Sequence, residues 1–470
     1  MKRLPFVLIL LSLFLVGCGS AVPSTPETST ATPTLPPTET LSPTPEILLT
    51  STTVPSPVPG MLYVDPSMSL GPISPLVYGS NYGPWLVVSA GMLDAAYDSG
   101  VTILRFPGGS WGDNNNVTPL QIDQIMDFAK KLGAQVMISV RYVDGTPEQA
   151  AELVRYTNVE KKYNVLYWSI GNEPTLYDGV YKNKNEEFDV DRFNREWRAI
   201  AEAMKAVDPS IKLVGPEVNQ FSYDLSPGAT TNFEQKHETY LVEFLKANSD
   251  LVDVVSIHRY PFPASQVSGA PSMDEIRLNT REWDKIIIRL RELIHEHTGR
   301  ELPIAVTEFN SAYDKSFGQE TTPDSHYNAI WMADVLGSLI KNGVFMANQW
   351  YLTAKGGYGG LGLLGQFDVF PSYYTYQMYK KFGDELIYSS TDDEDLTIYA
   401  ARREDGALTV MVINLSLEEK VKALRIGDGT RVQGEAWLFD PAHQVENMGP
   451  VDLSSDAAFP PQSVTLFVIP

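Results

Sequence analysis

The sequence predicts an α/β protein, a (β/α)8 TIM barrel followed by a C-terminal β-sandwich domain. Eight short, nearly continuous apolar runs alternate with amphipathic stretches of helical period. Such runs are typical of parallel strands that are covered on both faces. Nearer the C terminus, strand-like runs follow one another without helices between them. Polar and aromatic residues also collect just after the apolar runs, where a barrel of this kind carries its active site.

The eight predicted barrel strands are residues 76–79, 101–106, 135–141, 165–170, 211–215, 252–258, 304–307 and 345–351. The predicted helices between and after them are residues 120–132, 146–163, 190–207, 239–248, 273–297 and 325–342. Several helices begin with a suitable capping residue, such as Thr146 before Pro147. The alternative is an open doubly wound sheet, but no glycine-rich phosphate loop follows the first strand.

The predicted β-sandwich covers residues 384–470, and the predicted barrel covers residues 61–383. The predicted strands of the β-sandwich are residues 396–401, 407–414, 420–426, 434–439 and 464–469. Turn residues such as Asp405-Gly406 separate them. Residues 61–66 also have the pattern of a strand, which we expect to join this sheet before the chain enters the barrel.

The N terminus has the features of a bacterial lipoprotein signal. A basic start precedes an apolar stretch that ends in Gly17-Cys18, and Cys18 is the only cysteine in the chain. Residues 1–17 are therefore predicted to be a signal peptide, with Cys18 as the lipidated residue. The alternatives are an ordinary signal peptide with an incidental cysteine or an uncleaved membrane anchor. Residues 18–60, rich in Pro, Thr and Ser, are predicted to be an extended tether.

The composition limits the partners of the folded part. A formal net charge of −22 argues against nucleic acid and anionic lipid as partners. A neutral polysaccharide or oligosaccharide is compatible with this charge, and membrane contact is expected only through the lipid anchor. The predicted location is extracytoplasmic, at the bacterial cell surface. No cofactor and no metal are expected; His295 and His297 lie two apart on a helix and cannot share a face as ligands.

Two glutamates are the strongest candidates for catalysis. Glu173 follows the fourth predicted strand and Glu308 follows the seventh. Two carboxylates that face each other are the minimum equipment for hydrolysing a glycosidic bond. Our hypothesis is a retaining glycosidase in which Glu173 is the general acid/base and Glu308 the nucleophile. Asn172 is expected to donate a hydrogen bond to a sugar hydroxyl.

Other residues at the strand ends are predicted to support this pair and bind substrate. Arg105, His258 and Tyr260 are expected to surround Glu308 and keep it ionised. Glu217 is interpreted as a rim carboxylate that either binds substrate or meets solvent.

Aromatic side chains near the strand ends are expected to bind sugar faces by stacking. Trp350 is the first candidate, followed by Trp111 and Trp85. Trp197, Trp283 and Trp331 lie within helical patterns and are expected to pack in the core.

The motifs carry a resemblance that spans residue 62 to the C terminus. WSIGNEP, HRYP and TEFN resemble the Asn-Glu, His-x-Tyr and Thr-Glu signatures of the clan A retaining (β/α)8 glycoside hydrolases. TEFNSAYD is similar to family-39 β-xylosidases, and LRFPGGS is similar to family-51 α-L-arabinofuranosidases. A terminal β-sandwich fits both families and the family-44 endoglucanases. The resemblance implies the same acid/base and nucleophile, with Asn172, Arg105, His258 and Tyr260 as supporting residues.

The predicted function is a retaining O-glycoside hydrolase that acts on plant- or microbe-derived polysaccharide or oligosaccharide, like a β-xylosidase or endoglycanase. An α-L-arabinofuranosidase is the alternative within the same class. A surface carbohydrate-binding protein without turnover is the alternative from a different class, although both carboxylates and their neighbours are present in the sequence.

Overall fold

The computed structural model describes residues 57–223, 232–263, 269–314, 317–354, 360–429, 432–454 and 456–470. The signal peptide, Cys18 and nearly all of the tether predicted from the sequence lie outside these residues. No helix within the described ranges is both long and apolar enough to cross a membrane.

Strand β1 (Leu62–Pro72) begins the described fold but does not belong to the barrel. It pairs with two strands of the C-terminal sheet, antiparallel with one and parallel with the other. The sequence prediction that residues 61–66 add a strand to this sheet is confirmed. The barrel itself starts at Gly79.

In the part of the chain that the structure describes, eight parallel strands close into a barrel in sequence order. They are β2 (Gly79–Asn81), β3 (Ile103–Phe106), β4 (Gln135–Val140), β5 (Tyr167–Ile170), β6 (Lys212–Val218), β7 (Val254–Arg259), β8 (Ile304–Phe309) and β9 (Met346–Gln349). The barrel closes where β2 pairs with β9, with Gly79 opposite Asn348. Each predicted strand has a counterpart within a few residues, so the predicted fold class is confirmed.

Helices lie in the connections between the barrel strands and after the last of them. They are α1 (Leu93–Asp98), α2 (Trp111–Asn114), α3 (Pro119–Leu132), α4 (Pro147–Val154), α5 (Tyr177–Lys182), α6 (Val190–Val207), α7 (Asn232–Asn248), α8 (Met273–Asn279), α9 (Glu282–Thr298), α10 (His326–Lys341) and α11 (Pro371–Tyr379). Helix α3 shows how local sequence sets these bounds. Thr118 and Gln121 form a capping box at its start, and Gly133 ends it in the left-handed conformation.

Two predicted helices are divided in the structure, and the helix predicted over 239–248 begins earlier, at Asn232. The segment predicted as one helix over 146–163 is α4 followed by a π-helical stretch at Arg155–Glu160. The segment predicted over 273–297 is divided between α8 and α9. At this break the side-chain oxygen of Asn279 accepts a hydrogen bond from the Trp331 indole at 2.9 Å. This contact comes from another helix, so the local pattern could not reveal it.

The core has two layers around the barrel wall. Alternate strand residues such as Ile103, Met137 and Val254 fill the barrel interior. The others face the helices, where Trp197, Trp283 and Trp331 are fully buried, as the helical pattern predicts.

Within the residues that the structure describes, the C-terminal domain is a curled, mixed sheet of nine strands. Besides β1 it contains β10 (Glu385–Ser390), β11 (Leu396–Arg402), β12 (Leu408–Asn414), β13 (Lys420–Ile426), β14 (Gln433–Phe439), β15 (Gln444–Asp452), β16 (Asp456–Phe459) and β17 (Ser463–Ile469). The strand order is β15-β14-β17-β12-β11-β10-β1-β13-β16. Val64, Val412 and Phe467 belong to its own apolar core. This architecture is consistent with the predicted β-sandwich.

Candidate active site

A cleft of about 650 Å³ opens at the carboxyl ends of the barrel strands. Its walls come from the loops after β2, β3, β5, β6, β7, β8 and β9. The residues that line it are Trp85, Gly108, Gly109, Ser110, Trp111, Asn114, Asn115, Asn172, Glu173, Leu176, Asn219, Gln220, Tyr260, Glu308, Tyr313 and Trp350. Both predicted catalytic glutamates therefore face the same cleft.

Glu308, at the end of β8, is held by several donors. Its Oε1 accepts hydrogen bonds from Arg105 Nη1 at 2.7 Å and from the backbone N–H of Gly109 at 2.9 Å. Its Oε2 accepts one from the Tyr260 hydroxyl at 2.8 Å. The side chain is only 5% exposed. Donors arranged in this way stabilise a negatively charged carboxylate and fix its orientation.

Gly109 is needed for this arrangement. Its φ of +63° lies in the left-handed region, and a Cβ atom there would come within 2.6 Å of the Trp350 ring. A glycine therefore lets the main chain donate to Glu308 while Trp350 packs against it.

Glu173 lies in a different environment. It follows β5 in a left-handed conformation, with φ of +51°, and its side chain is 19% exposed. Its Oε1 lies 3.1 Å from Nδ1 of His258. Burial, opposed by the charge of Arg105 and reinforced by that of Glu217, raises the pKa of Glu173 to about 7. Glu173 is thus suited to hold a proton near neutral pH.

The two carboxylates lie close together. One oxygen of Glu173, one oxygen of Glu308 and one ring nitrogen of His258 all lie within 4.8 Å of one another. A cation could bridge atoms at this spacing. However, both oxygens of Glu308 already accept hydrogen bonds, and the Arg105 guanidinium is its counter-ion at 2.7 Å. We therefore interpret the cluster as a catalytic carboxylate pair.

Arg105, on β3, organises the floor of the site. It is fully buried, and it pairs with Glu217 through Nε at 2.9 Å and Nη2 at 2.6 Å. The remaining donors go to Asn81, Asn172 and Glu308. All five guanidinium N–H groups are therefore used. Although burial alone lowers the pKa of Arg105, the carboxylates of Glu217 and Glu308 raise it above its usual value.

Three predicted substrate-binding residues lie beneath the cleft rather than on its surface. Glu217 is 1% exposed and both its oxygens bind Arg105, so its interpretation as a rim carboxylate is wrong. Arg105 is fully occupied by protein groups. His258 is also fully buried, between Glu173 and the Thr307 hydroxyl, and burial lowers its pKa. Arg105 thus joins the carboxylates of Glu217 and Glu308 from beneath the cleft, and His258 contacts that of Glu173.

Asn172 and Tyr260 line the cleft, where the sequence analysis expects substrate-binding residues. Asn172 uses its Oδ1 to accept from Arg105 at 2.9 Å, which turns its amide nitrogen toward the cleft. The main chain of Tyr260 is fixed by Gln220, whose amide group both donates to and accepts from it at 2.8 Å.

Tryptophans form the apolar walls of the cleft. Trp85 and Trp111 lie with ring centroids 6.0 Å apart and planes tilted by 32°. Trp350 lines the same cleft, and its carbonyl accepts a hydrogen bond from Asn310 at 2.9 Å. Flat, amphipathic rings of this kind are suited to stacking on sugar faces. The structure thus brings the three predicted tryptophans together at the cleft.

Sequence reasoning missed two buried residues beside the pair. Asp113, in α2, is 3% exposed, and it accepts a hydrogen bond from the hydroxyl of Tyr177 in α5. That hydroxyl in turn accepts from the backbone N–H of Asn172 at 2.7 Å. Neither residue follows an apolar run, so the strand-end pattern gave no signal for them.

The fourth and seventh strands of this closed (β/α)8 barrel are β5 and β8, and each is followed or ended by a glutamate that faces the cleft. This arrangement defines the clan A class of glycoside hydrolases. The family model described as "Glycosyl hydrolases family 39" matches residues 155–420, more than half of the chain. The chain belongs to this family.

Curated relatives match over shorter segments. An intracellular exo-α-(1→5)-L-arabinofuranosidase from Acetivibrio thermocellus is 25% identical over an alignment of 207 residues, and the match covers 36% of this chain and 38% of that relative. A probable α-L-arabinofuranosidase C from Aspergillus fumigatus is 24% identical over an alignment of 182 residues, which covers 29% of this chain and 35% of the relative. The chain thus spans well under two thirds of the length of these relatives.

Solved structures share the fold over most of the chain. A bifunctional glucanase-xylanase from a metagenome library has a TM-score of 0.66 and 21% identity, covering 88% of this chain and 100% of that one. An α-L-arabinofuranosidase from Thermotoga maritima has a TM-score of 0.68 and 18% identity, and the match covers 87% of this chain and 99% of that one.

Proposed function

We propose that this protein is a retaining O-glycoside hydrolase. The observation that carries the proposal is the spacing of Glu173 and Glu308, whose nearest oxygens lie within 4.8 Å. Retaining enzymes hold their carboxyl groups about 5–5.5 Å apart, whereas inverting enzymes leave about 6.5–9.5 Å for a water molecule. The short spacing favours direct attack by one carboxylate on the sugar.

The environments of the two glutamates assign their roles. Glu308, held by three donors, attacks the anomeric carbon as the bond to the leaving oxygen breaks, and Glu173 gives that oxygen its proton. The product of this step is a glycosyl ester on Glu308. Glu173, now ionised, takes a proton from water, whose oxygen attacks the anomeric carbon and releases Glu308. Asn172 is placed to hydrogen-bond a sugar hydroxyl next to that carbon.

The substrate class follows from the cleft and from the family. An open cleft with three tryptophans and a strongly acidic chain fit a neutral polysaccharide or oligosaccharide from plants or microbes. A β-xylosidase- or endoglycanase-like activity is supported by membership of family 39. The second candidate is α-L-arabinofuranosidase activity, which the names of the curated relatives favour.

Hydrolysis of chromogenic aryl glycosides tests the proposal. We expect turnover of at least one of β-xyloside, β-glucoside and α-L-arabinofuranoside, and proton NMR should show that the first sugar released keeps the anomeric configuration of the substrate. Release of the opposite anomer would contradict the assigned mechanism. No cleavage of these glycosides, of xylan or of glucan, together with retained polysaccharide binding, would identify a carbohydrate-binding protein instead.

We also propose that the enzyme is lipid-anchored outside the cytoplasm. The support is the Gly17-Cys18 junction after an apolar stretch and the Pro/Thr/Ser-rich segment that follows. The relatives called intracellular in their names share only part of the chain. In a bacterial host, Cys18→Ala is expected to abolish palmitate labelling and release the protein from the membrane fraction. Ser20→Ala is the matched control, and equal labelling of both variants would refute the anchor.

A further inference from the structure

The turn that carries the proposed general acid has an unusual backbone. Gly171 and Glu173 both have positive φ, +79° and +51°. A residue other than glycine in this region persists only where its surroundings fix it, and such residues are concentrated at functional sites.

Three backbone donors are anchored within this turn. Gly171 N–H donates to the carbonyl of Val140 at 3.0 Å, and Leu176 N–H donates to the carbonyl of Glu173 at 3.0 Å. Between them, Asn172 N–H donates to the hydroxyl of Tyr177 at 2.7 Å. This central anchor is the one that depends on a side chain.

The packing against Tyr177 is close. A Cβ at Gly171 would come within 2.5 Å of the Tyr177 hydroxyl, so only glycine allows the approach. The Tyr177 ring stacks on Tyr142, with centroids 4.9 Å apart and planes 10° from parallel. The packing of the Tyr177 ring thus places its hydroxyl at the turn, and this placement does not depend on the hydrogen bonds that the hydroxyl makes.

Asp113 completes the arrangement. It accepts from the Tyr177 hydroxyl and so directs the oxygen lone pairs of that group toward Asn172 N–H. Burial raises the pKa of Asp113 well above its usual value; the Tyr177 hydrogen bond and Arg105 oppose this shift, and Glu217 and Glu173 add to it. Burying a carboxyl group costs free energy that its hydrogen bonds must offset, and here the Tyr177 hydroxyl is the donor.

We propose that Asp113 and Tyr177 are positioning residues for the general acid, forming a relay from Asp113 through the Tyr177 hydroxyl to Asn172 N–H that holds Glu173 toward the leaving oxygen. This inference rests on the proposed glycosidase activity. Asp113 and Tyr177 are absent from the cleft lining, and Glu308 is bonded to other groups. The relay reaches the cleft through Asn172, whose side chain keeps its own hydrogen bond from Arg105 at 2.9 Å. Loss of the relay should therefore affect proton donation by Glu173 more than nucleophilic attack by Glu308.

Tyr177→Phe tests the relay because it removes the hydroxyl and keeps the ring. We expect kcat/KM to fall about tenfold or more for glycosides with alcohol leaving groups, since general acid catalysis contributes about 10²- to 10⁴-fold. For dinitrophenyl glycosides, which need no proton, the fall should be less than about threefold. Asp113→Ala should behave likewise, whereas Asp113→Asn, which keeps an acceptor oxygen, should retain most activity.

Tyr142→Phe is the matched control. It changes the stacked neighbour, whose hydroxyl donates to Glu196 at 2.6 Å, away from the turn. It is expected to show no dependence on the leaving group. The relay would be overturned if Tyr177→Phe lowered kcat/KM equally for all leaving groups. It would also be overturned if Tyr142→Phe lowered kcat/KM more for alcohol leaving groups than for dinitrophenyl.

A crystal structure of Tyr177→Phe decides the matter without turnover. The relay predicts that the turn at 171–173 moves and that Glu173 leaves its position 3.1 Å from His258. An unchanged turn would overturn the proposal. If the wild-type protein cleaves no glycoside, the proposed function fails, and this structural comparison still supports or refutes the relay.

Discussion

Replacing Glu308 by glutamine is expected to lower kcat by about 10⁴-fold or more, as loss of a nucleophile does in other enzymes, while oligosaccharide binding is retained. A neutral amide cannot attack the anomeric carbon. Its shape still fits, because the amide oxygen can accept from Arg105 and Gly109 and the amide nitrogen can donate to Tyr260. Steady-state kinetics with an aryl glycoside and calorimetric titration of an oligosaccharide measure the two quantities separately.

Glu217→Gln is the control for this variant. It also weakens an ion pair with buried Arg105, but it leaves the nucleophile in place. We expect it to keep measurable turnover, so a loss as complete as that of Glu308→Gln would show that Arg105 pairing, not nucleophilic attack, explains the defect. In Glu308→Ala, azide with an activated glycoside should yield a glycosyl azide of inverted configuration. A product of retained configuration would place the nucleophile elsewhere.

The position of the carboxylate pair could be predicted from the sequence because two simple rules apply to it. Glu173 and Glu308 each follow an apolar strand, and a parallel barrel brings all carboxyl ends of its strands to one face. The same reasoning places Asn172, Tyr260 and Trp350 at the cleft. It needs only the order of the elements and no knowledge of their packing.

Sequence patterns do not predict the orientation of a side chain when that orientation is set by residues far along the chain. Glu217 follows an apolar strand too, but it adopts φ of +59° and points inward to Arg105, 112 positions earlier. Tyr177 meets Asp113 across 64 positions, and neither lies in a recognisable pattern. Strands β10, β15 and β16 were not predicted either. In β15 every residue is exposed or half-buried, so no apolar alternation marks it.

The division of roles between the two glutamates is likewise a property of the folded state. Both are strand-end glutamates in the sequence. In the structure, three hydrogen-bond donors converge on Glu308, whereas Glu173 lies against neutral His258 and is raised in pKa by burial. These different surroundings, and not the positions of the two residues in the sequence, support the proposed assignment of the acid and the nucleophile.

Glu173→Ala is expected to lose about 10²- to 10⁴-fold in kcat/KM on glycosides with alcohol leaving groups and far less on dinitrophenyl glycosides, because only the former need a proton. The pH dependence follows from the raised pKa. Glu173 must be protonated to act as the acid, so wild-type kcat/KM should fall as pH rises through about 7. This fall should disappear in Glu173→Ala, as rate–pH profiles of both proteins on a glycoside with an alcohol leaving group will show.

Azide provides the decisive measurement for Glu173→Ala. With the carboxylate removed, azide can enter beside the glycosyl ester on Glu308 and attack it from the face that Glu173 occupied. The product should therefore be a glycosyl azide of retained configuration, formed faster than the free sugar. Glu173→Gln, which leaves less room, is the control and should respond less. An inverted azide product would contradict the role of Glu173, because azide would then be replacing a missing nucleophile. An undiminished alkaline fall in kcat/KM would also contradict this role, because another residue would have to deliver the proton.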